Sequence, residues 1–163
     1  MTRAYIGIGS NIDREASIRG GVARLREVFG PLLLSTVYES PAFGFQGDNF
    51  YNLVAGFDTD LGPGELEREL HAIEHGLGRE RGQPRYASRT LDLDLLLYGD
   101  LVRHDDEVNV PREDVRKFAF VLRPLAEIAG ELRHPETGQT LEAMWAVFDQ
   151  PDQALWPVQL DSL

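Results

Sequence analysis

Residues 89–98 alternate leucine with aspartate over a length typical of one β-strand. Side chains two residues apart in a strand lie on the same face. Asp92 and Asp94 are therefore predicted to project together from one face, with Cα atoms roughly 7 Å apart. The opposite face is predicted to lie in a core and to carry Leu91, Leu93, Leu95 and Leu97. Any fold of this chain has to bury one side of this strand and keep the other side polar.

The two like charges on the polar face need a physical explanation. Two carboxylates held this close repel one another unless a cation reduces the repulsion. Mg²⁺ prefers one or two carboxylates together with waters and substrate phosphates. We favour a metal-binding role for Asp92 and Asp94 over the alternative, a solvated strand face without a ligand.

Length and composition indicate a single compact domain over residues 1–163. The hydrophobic fraction of 42% is sufficient for a substantial core in a chain of 163 residues. The sequence has neither a long apolar run nor an N-terminal signal pattern, so we expect a cytoplasmic protein that does not contact membranes. Because the chain contains no cysteine, any catalytic metal is expected to have oxygen or histidine ligands.

The formal net charge of −11 argues against a nucleic-acid partner, which would require a broad basic surface. The basic residues are nevertheless concentrated just before the aspartate pair. Of the 16 lysine and arginine residues, four lie in this short stretch: Arg79, Arg81, Arg85 and Arg89. A basic patch next to metal-binding acids is typical of a polyphosphate site.

Hydrophobic periodicity predicts an α+β fold. The predicted order is a strand at 4–11, a helix at 15–29, strands at 32–38 and 50–57, a helix from 63 to 78, and the aspartate strand. This βαββαβ order is the ferredoxin-like arrangement, in which an antiparallel sheet carries both helices on one face. The other face is expected to be open to ligands. C-terminal helices are predicted from near Pro124 and over 140–148, followed by a tail that packs on the surface.

The loop at 39–48 and the strand after it carry aromatic residues that could contact a ligand. Phe43 and Phe45 either pack beneath their own loop or face a ligand, and the residues alone slightly favour packing. Phe50 and Asn52 share one strand face, where a ring and an amide could hold a flat heteroaromatic molecule.

Five motifs together resemble a known family. They are Tyr-Ile-Gly-Ile-Gly-Ser-Asn at 5–11, Tyr-Glu-Ser-Pro at 38–41 with Gln46 and Asn52, Ile-Glu at 73–74 followed by Gly-Arg-Glu-Arg at 78–81, Arg-Thr-Leu-Asp-Leu-Asp at 89–94, and Phe-Val-Leu-Arg-Pro-Leu at 120–125. In this order and spacing the chain resembles the 6-hydroxymethyl-7,8-dihydropterin pyrophosphokinases of folate biosynthesis, which have a ferredoxin-like fold. The resemblance implies transfer of pyrophosphate from ATP to the pterin hydroxymethyl group, with release of AMP.

The resemblance also implies a role for individual residues. Asp92 and Asp94 would bind two Mg²⁺ ions and, with Arg79 and Arg89, form the catalytic group. The implied ATP contacts are Glu74, Arg79, Arg81, Arg89, Leu95 and Arg112. The implied pterin contacts are Ser40, Pro41, Phe43, Phe50, Asn52, Tyr86 and Phe120. The implied partners are ATP and a reduced pterin, bound by a monomer or weak dimer.

The chain departs from the family pattern near the implied nucleotide contacts. Arg112 stands where the family usually has a histidine, and Phe118 stands where it commonly has an arginine. Arg112 could take over a phosphate contact with a permanent charge, or it could pair with Glu113 or Asp114 at the surface. These departures keep an alternative open, namely a paralogue with an altered pterin substrate or a pterin- or nucleotide-binding protein without full activity.

Overall fold

The computed structural model describes residues 1–77 and 90–163. The strands are β1 (Thr2–Ser10), β2 (Leu33–Leu34), β3 (Val37–Ser40), β4 (Phe50–Thr59), β5 (Asp92–Tyr98), β6 (Arg103–His104), β7 (Asn109–Val110) and β8 (Trp156–Val158). The helices are α1 (Arg14–Phe29), α2 (Pro63–Gly76), α3 (Asp114–Lys117), α4 (Ala119–Ala129) and α5 (Leu141–Ala146). Among these helices, none has the length and apolar composition needed to span a membrane.

The main sheet is antiparallel and has the strand order β5–β1–β4–β3–β8, with β2 also paired to β4. Helices α1 and α2 pack against one face of this sheet. The predicted ferredoxin-like βαββαβ arrangement is therefore confirmed. The two central strands, β1 and β4, pair along the full length of β1, from Thr2 to Ser10.

Both helices form because their apolar residues recur at helical spacing. The buried stripe of α1 contains Ile18, Val22 and Leu25, and that of α2 contains Leu66, Leu70 and Ile73. Pro63 occupies the first turn of α2, where its missing N–H is not needed. Each fully buried side chain of this size contributes about 1.5–3 kcal/mol. This core anchors the sheet from the helix side.

The opposite face of the sheet is covered by the C-terminal helices over much of its area. A second core cluster brings Leu122 and Leu125 of α4 together with Tyr5, Val54 and Leu96 of the sheet. The prediction that this face is open to ligands was wrong for this part of the sheet. The reason is that α4 is strongly amphipathic and needs an apolar surface to cover its buried side.

Strand β5 does not alternate along its whole length. Where it pairs with β1, the register shifts from Leu95 to Leu97 and leaves Leu96 as an extra residue. Such a β-bulge changes the face occupied by the side chains that follow. Leu97 therefore packs in the second cluster, and the prediction that it faces the same core as the earlier leucines was wrong. The shift lies after the two aspartates and leaves their alternation intact.

The predicted strand at 32–38 is divided into β2 and β3, with Ser35 between them. The Ser35 hydroxyl accepts a hydrogen bond from the backbone N–H of Val54 at 2.9 Å and donates one to the Thr36 carbonyl at 2.8 Å. The Ser35 hydroxyl thus takes the place of a backbone carbonyl in the hydrogen bonds between the strands. The spacing of hydrophobic residues does not predict such a replacement.

One C-terminal prediction was wrong, and another was incomplete. Helix α4 begins at Ala119 and carries Pro124 in its interior, although Pro124 was expected at the start of the helix. The tail contributes β8, whose Pro157 pairs with Tyr38 of β3. Proline is compatible with this position because β8 is an outer strand and does not need every backbone N–H for pairing.

A buried histidine lies between α4 and α5. His134 is 1% exposed, and its Nδ1 accepts hydrogen bonds from the backbone N–H groups of Glu136 at 3.1 Å and Thr137 at 3.3 Å. Both bonds require Nδ1 to be unprotonated. Burial lowers the pKa of His134, and the positive charge of Arg116 lowers it further against the opposing effect of Glu136.

We predict that His134 makes the fold less stable as the pH falls. Because its pKa is lower in the folded chain, the unfolded chain takes up the proton first, and the stabilisation present above about pH 6.5 is lost on acidification. His134→Asn retains an acceptor and should lose less free energy of unfolding than the native protein between about pH 8 and pH 5. Urea unfolding at each pH measures this difference. His75→Asn, which alters an exposed histidine of α2, is the control, and an equal loss in His134→Asn and the native protein would contradict the prediction.

Candidate active site

The candidate site lies where β5, β1 and β4 run side by side. Asp92 of β5 pairs with Gly9 of β1, and Gly9 pairs on its other side with Asn52 of β4. In the neighbouring row, Asp94 pairs with Gly7. Residues directly opposite one another share a face, so both carboxylates and the Asn52 amide lie on the same side of the sheet. Two strand spacings separate the Asp92 and Asn52 backbones by about 10 Å.

Gly9 provides the floor between the carboxylates and the amide. A Cβ atom at this position would lie 3.3 Å from Oδ1 of Asn52 and 3.8 Å from a ring carbon of Phe50. The missing side chain leaves a depression, here called the glycine trough, which is formed by Asp92, Asp94, Gly9, Asn52 and Phe50. A flat ligand can approach the backbone closely at such a position.

Asn52 is oriented by a hydrogen bond from its own amide. Its Nδ2 donates to the hydroxyl oxygen of Ser40 at 2.8 Å, and both residues are buried. The amide oxygen consequently points towards Gly9. Asn52 can therefore accept a hydrogen bond from a ligand in the trough, while Ser40 fixes the direction of the amide.

Five phenylalanine rings lie around the trough and the start of α4. Phe45 meets the ring of Phe50 edge-on, with centroids 6.2 Å apart. Phe43 meets Phe118 edge-on at 4.8 Å, and Phe118 stacks on Phe120 at 4.9 Å. Phe43 and Phe45 thus each pack against another phenylalanine ring, and a ligand contact of Phe43 stays a prediction. Their loop begins at the exposed Pro41.

Arg112 lies between two carboxylates. Its Nη2 is 3.7 Å from Oδ1 of Asp94, and its Nε is 3.4 Å from Oδ2 of Asp114. Burial works against the charge of the guanidinium, but Asp94 and Asp114 outweigh it and raise the pKa of Arg112. The pairing with Asp114 is present as one alternative anticipated, yet it occurs beside a proposed metal ligand and not in bulk solvent. A phosphate contact of Arg112 stays a prediction.

Glu67 of α2 also lies near this group and was not among the predicted site residues. Burial is the main reason that the pKa of Glu67 is raised, and Asp94 raises it further. His71 and Arg112 act in the opposite direction without cancelling the shift. Glu67, His71 and Glu74 recur at i, i+4 and i+7, so helical periodicity could have indicated a polar face of α2 next to its apolar stripe.

Two predicted ATP contacts have clear structural surroundings. Glu74 is 2% exposed, and its Oε2 accepts a hydrogen bond of 2.7 Å from the backbone N–H of Leu93. This bond supports β5 between the two aspartates. The side chain of Leu95 is 1% exposed in the helix-side core, so an ATP contact there would use its backbone. The ATP contacts of both residues stay predictions.

Four predicted site residues lie outside the residues that the structure describes: Arg79, Arg81, Tyr86 and Arg89. Within residues 1–77 and 90–163, no group of three or more side chains is arranged to hold a metal ion. The Asp92 and Asp94 pair nevertheless has the donor chemistry that suits Mg²⁺, which completes its coordination with phosphate oxygens and waters.

The family is decided by comparison with known proteins. A family model described as 7,8-dihydro-6-hydroxymethylpterin-pyrophosphokinase (HPPK) matches residues 5–130, which contain every predicted site residue. The chain belongs to the HPPK family. The match runs from β1 to the end of α4 and includes the whole glycine trough.

Relatives of this HPPK chain cover most of its length. It is 40% identical over 136 residues to the 2-amino-4-hydroxy-6-hydroxymethyldihydropteridine pyrophosphokinase of Methylorubrum extorquens, covering 81% of this chain and 85% of the relative. The protein of the same name from Aquifex aeolicus is 36% identical over 137 residues, covering 83% and 85%. The solved structure of wild-type Plasmodium falciparum HPPK-DHPS has a TM-score of 0.66 at 13% identity, over 89% of this chain and 44% of that longer chain. At this identity the likeness shows the fold alone.

We predict that Arg112 contributes to ATP binding by this HPPK chain. Arg112→Ala should raise the apparent KM for ATP about tenfold or more, because a charged hydrogen-bond donor is lost, and should change the KM for the pterin little. Arg112→His should recover part of the loss, and more of it below about pH 6.5 than above. Steady-state kinetics across about pH 6 to 8 tests both statements.

A matched control is Arg116→Ala, which removes a neighbouring arginine paired with Glu136 at 2.9 Å. This control should leave the KM for ATP unchanged. If Arg112→Ala behaved like the control at every pH, Arg112 would have no part in nucleotide binding.

Proposed function

We propose that this protein transfers the β,γ-pyrophosphoryl group of ATP to the hydroxymethyl oxygen of 6-hydroxymethyl-7,8-dihydropterin and releases AMP. The observation that carries the proposal is the register across Gly9, which aligns Asp92 with Asn52 on one sheet face and leaves Asp94 on the same face, opposite Gly7. Phosphate-binding chemistry then lies on one side of the trough, and groups suited to a heteroaromatic ring lie on the other. The relatives are named as pyrophosphokinases of this pterin, which supports the proposed activity.

The pterin is proposed to bind on the β4 side of the trough. The Asn52 oxygen would accept from a pterin N–H, while Phe50 and Phe120 would stack on the ring. Aromatic stacking of this kind contributes about 0.5–1.5 kcal/mol beyond the burial of area. Ser40 would act through Asn52, and Pro41 and Phe43 would border the pterin from their loop.

ATP is proposed to bind on the β5 side. Two Mg²⁺ ions held by Asp92 and Asp94 would neutralise the charge of the triphosphate, which is the chemistry that such ions supply. Four arginines are proposed to contact the phosphates. Of these, Arg112 is the one that lies within the described residues, where it is beside Asp94. The others are Arg79, Arg81 and Arg89, with Tyr86 proposed to border the pterin from the same segment.

The proposed reaction is a displacement at the β-phosphorus of ATP. The hydroxymethyl oxygen forms a bond to this phosphorus, the bond to the oxygen bridging the α- and β-phosphates breaks, AMP leaves, and the hydroxyl proton passes to solvent. Phosphoryl-type transfer depends mainly on in-line placement and charge neutralisation. The trough supports such placement because the subsites proposed for the two substrates lie on one sheet face.

The partners, the cellular location and the oligomeric state of the protein are also proposals. The acidic net charge of −11 supports a protein that acts on small molecules and not on nucleic acid. We place it in the cytoplasm, as a monomer or weak dimer.

Product analysis tests the function directly. Incubation with Mg²⁺, ATP and 6-hydroxymethyl-7,8-dihydropterin should yield AMP and the pterin diphosphate in equal amounts, because the α–β bridge of ATP is the bond that breaks. Release of ADP would contradict the proposal and indicate transfer of a single phosphoryl group. Binding of both substrates without any product would favour the alternative of a binding paralogue. Asp92→Asn and Asp94→Asn should abolish AMP release and leave the thermal unfolding midpoint nearly unchanged.

A further inference from the structure

An aromatic stack, in which two phenylalanine rings are parallel and a third meets one of them edge-on, connects the loop at 41–49 to the start of α4. Phe118 is 4% exposed and lies in the middle of this stack. Its ring is nearly parallel to that of Phe120, with an interplanar angle of 15° and centroids 4.9 Å apart. The edge-on contact with Phe43 has a centroid distance of 4.8 Å and an interplanar angle of 67°. One ring therefore contacts both the loop and the proposed pterin-stacking residue.

We infer that Phe118 is a positioning residue for the pterin, which fixes the ring of Phe120 and couples it to Phe43 of the loop. This inference rests on the function proposed above and adds a specific residue to the pterin subsite. Phe118 brings no charge to a phosphate, in contrast to the arginine that the family resemblance leads one to expect at this position. Its contribution is packing, directed at Phe120.

The backbone holds Phe118 firmly. Its N–H donates to the Asp114 carbonyl at 3.0 Å, and its carbonyl accepts from the N–H groups of Val121 at 3.1 Å and Leu122 at 2.9 Å. Phe118 has an extended conformation and caps the N-terminus of α4. These bonds fix the backbone of Phe118, and burial of its ring between Phe43 and Phe120 restricts the movement of the ring itself.

The far end of the loop is held by polar contacts with other elements. Asn11 donates to the Asp48 carbonyl at 3.0 Å, and Asn49 donates to Glu39 at 3.0 Å. Arg14 of α1 also donates to Glu39, at 2.9 Å. At its near end, the loop contacts α4 through the ring of Phe43, although this residue is 44% exposed. The aromatic contact therefore helps to set the position of the loop beside the trough.

The stack has a consequence for the proposed pterin site. Phe118 covers one face of Phe120, so a pterin would stack on the opposite face of that ring. Binding of a pterin there would depend on the orientation of the Phe120 ring, which Phe118 fixes. It would also depend on the position of the loop, which the contact between Phe43 and Phe118 helps to fix. The two contacts share one ring, so removing either should weaken the same binding event.

A double-mutant cycle on Phe43 and Phe118 tests this coupling. Phe43→Leu and Phe118→Leu should each weaken binding of 6-hydroxymethyl-7,8-dihydropterin by about two- to tenfold, the size expected for loss of an aromatic pair. The double variant should bind within about twofold of the weaker single variant, because both changes break one coupled unit. Binding is measured by calorimetry with Mg²⁺ and ATP whose α–β bridge is a methylene group. The Kd of the ATP analogue should not change.

Phe148→Ala is the matched control, since it removes a ring that stacks on Trp145 in the same core cluster. It should lower stability without changing the Kd for the pterin. Full additivity of the Phe43 and Phe118 variants, or an unchanged Kd in both, would overturn the inference. If Phe118→Leu failed to fold, Phe118→Met would take its place in the cycle, because it also removes the ring while keeping an apolar side chain of similar length. Additivity of Phe118→Met with Phe43→Leu, or an unchanged Kd for the pterin in Phe118→Met, would contradict the coupling.

The binding results also distinguish an error in the proposed function from an error in the role of Phe118. Phe50→Ala and Phe120→Ala should weaken the pterin far more than the ATP analogue. If the native protein showed no specific pterin binding, or if these two variants bound the pterin as tightly as the native protein does, the proposed function or its pterin site would be wrong. If they behaved as expected while the Phe43 and Phe118 variants were additive, only the role of Phe118 would be overturned.

Discussion

Two carboxylates held on one face of an edge strand are the constraint on which the rest of the site depends. Like charges at this separation repel one another, so the strand that carries them must be fixed from both sides. On one side β5 pairs with β1. On its outer side, Glu74 accepts from the Leu93 N–H at 2.7 Å, and the Leu96 carbonyl accepts from the Arg112 N–H at 2.9 Å. These bonds occupy the exposed edge and hold the strand where its acids are needed.

The register of the sheet converts this local feature into a two-sided site. Gly9 lies between Asp92 and Asn52 and leaves the width of one strand without a side chain. The negative charge beside β5 suits the proposed metal ions and is partly balanced by Arg112. On the β4 side, the neutral and aromatic groups are suited to a planar heterocycle. A single sheet face thus carries both parts of the proposed site, the phosphate side beside β5 and the pterin side beside β4.

The sequence predicted what depends on local periodicity, and it missed what depends on pairing between distant segments. The alternation of Asp92 and Asp94 and the stripes of α1 and α2 could be read directly, because side-chain direction follows from position within one element. The bulge at Leu96 and the pairing of β8 with β3 arise from contacts between strands far apart in the chain. The place of Phe118 in an aromatic stack was equally hidden, since the motif shows only that an expected arginine is absent.

Counting the metal ions bound with the nucleotide tests the central role of the aspartate pair most directly. Equilibrium dialysis with Mn²⁺ and the methylene analogue of ATP should find about two ions per chain in the native protein, given oxygen ligands from Asp92, Asp94 and the phosphates. Asp94→Asn should lose at least one of them. Asp58→Asn, which alters an exposed carboxylate paired with Arg3, should keep both. An unchanged count in both Asp92→Asn and Asp94→Asn would contradict the account, because the carboxylates would then have no part in holding the metal.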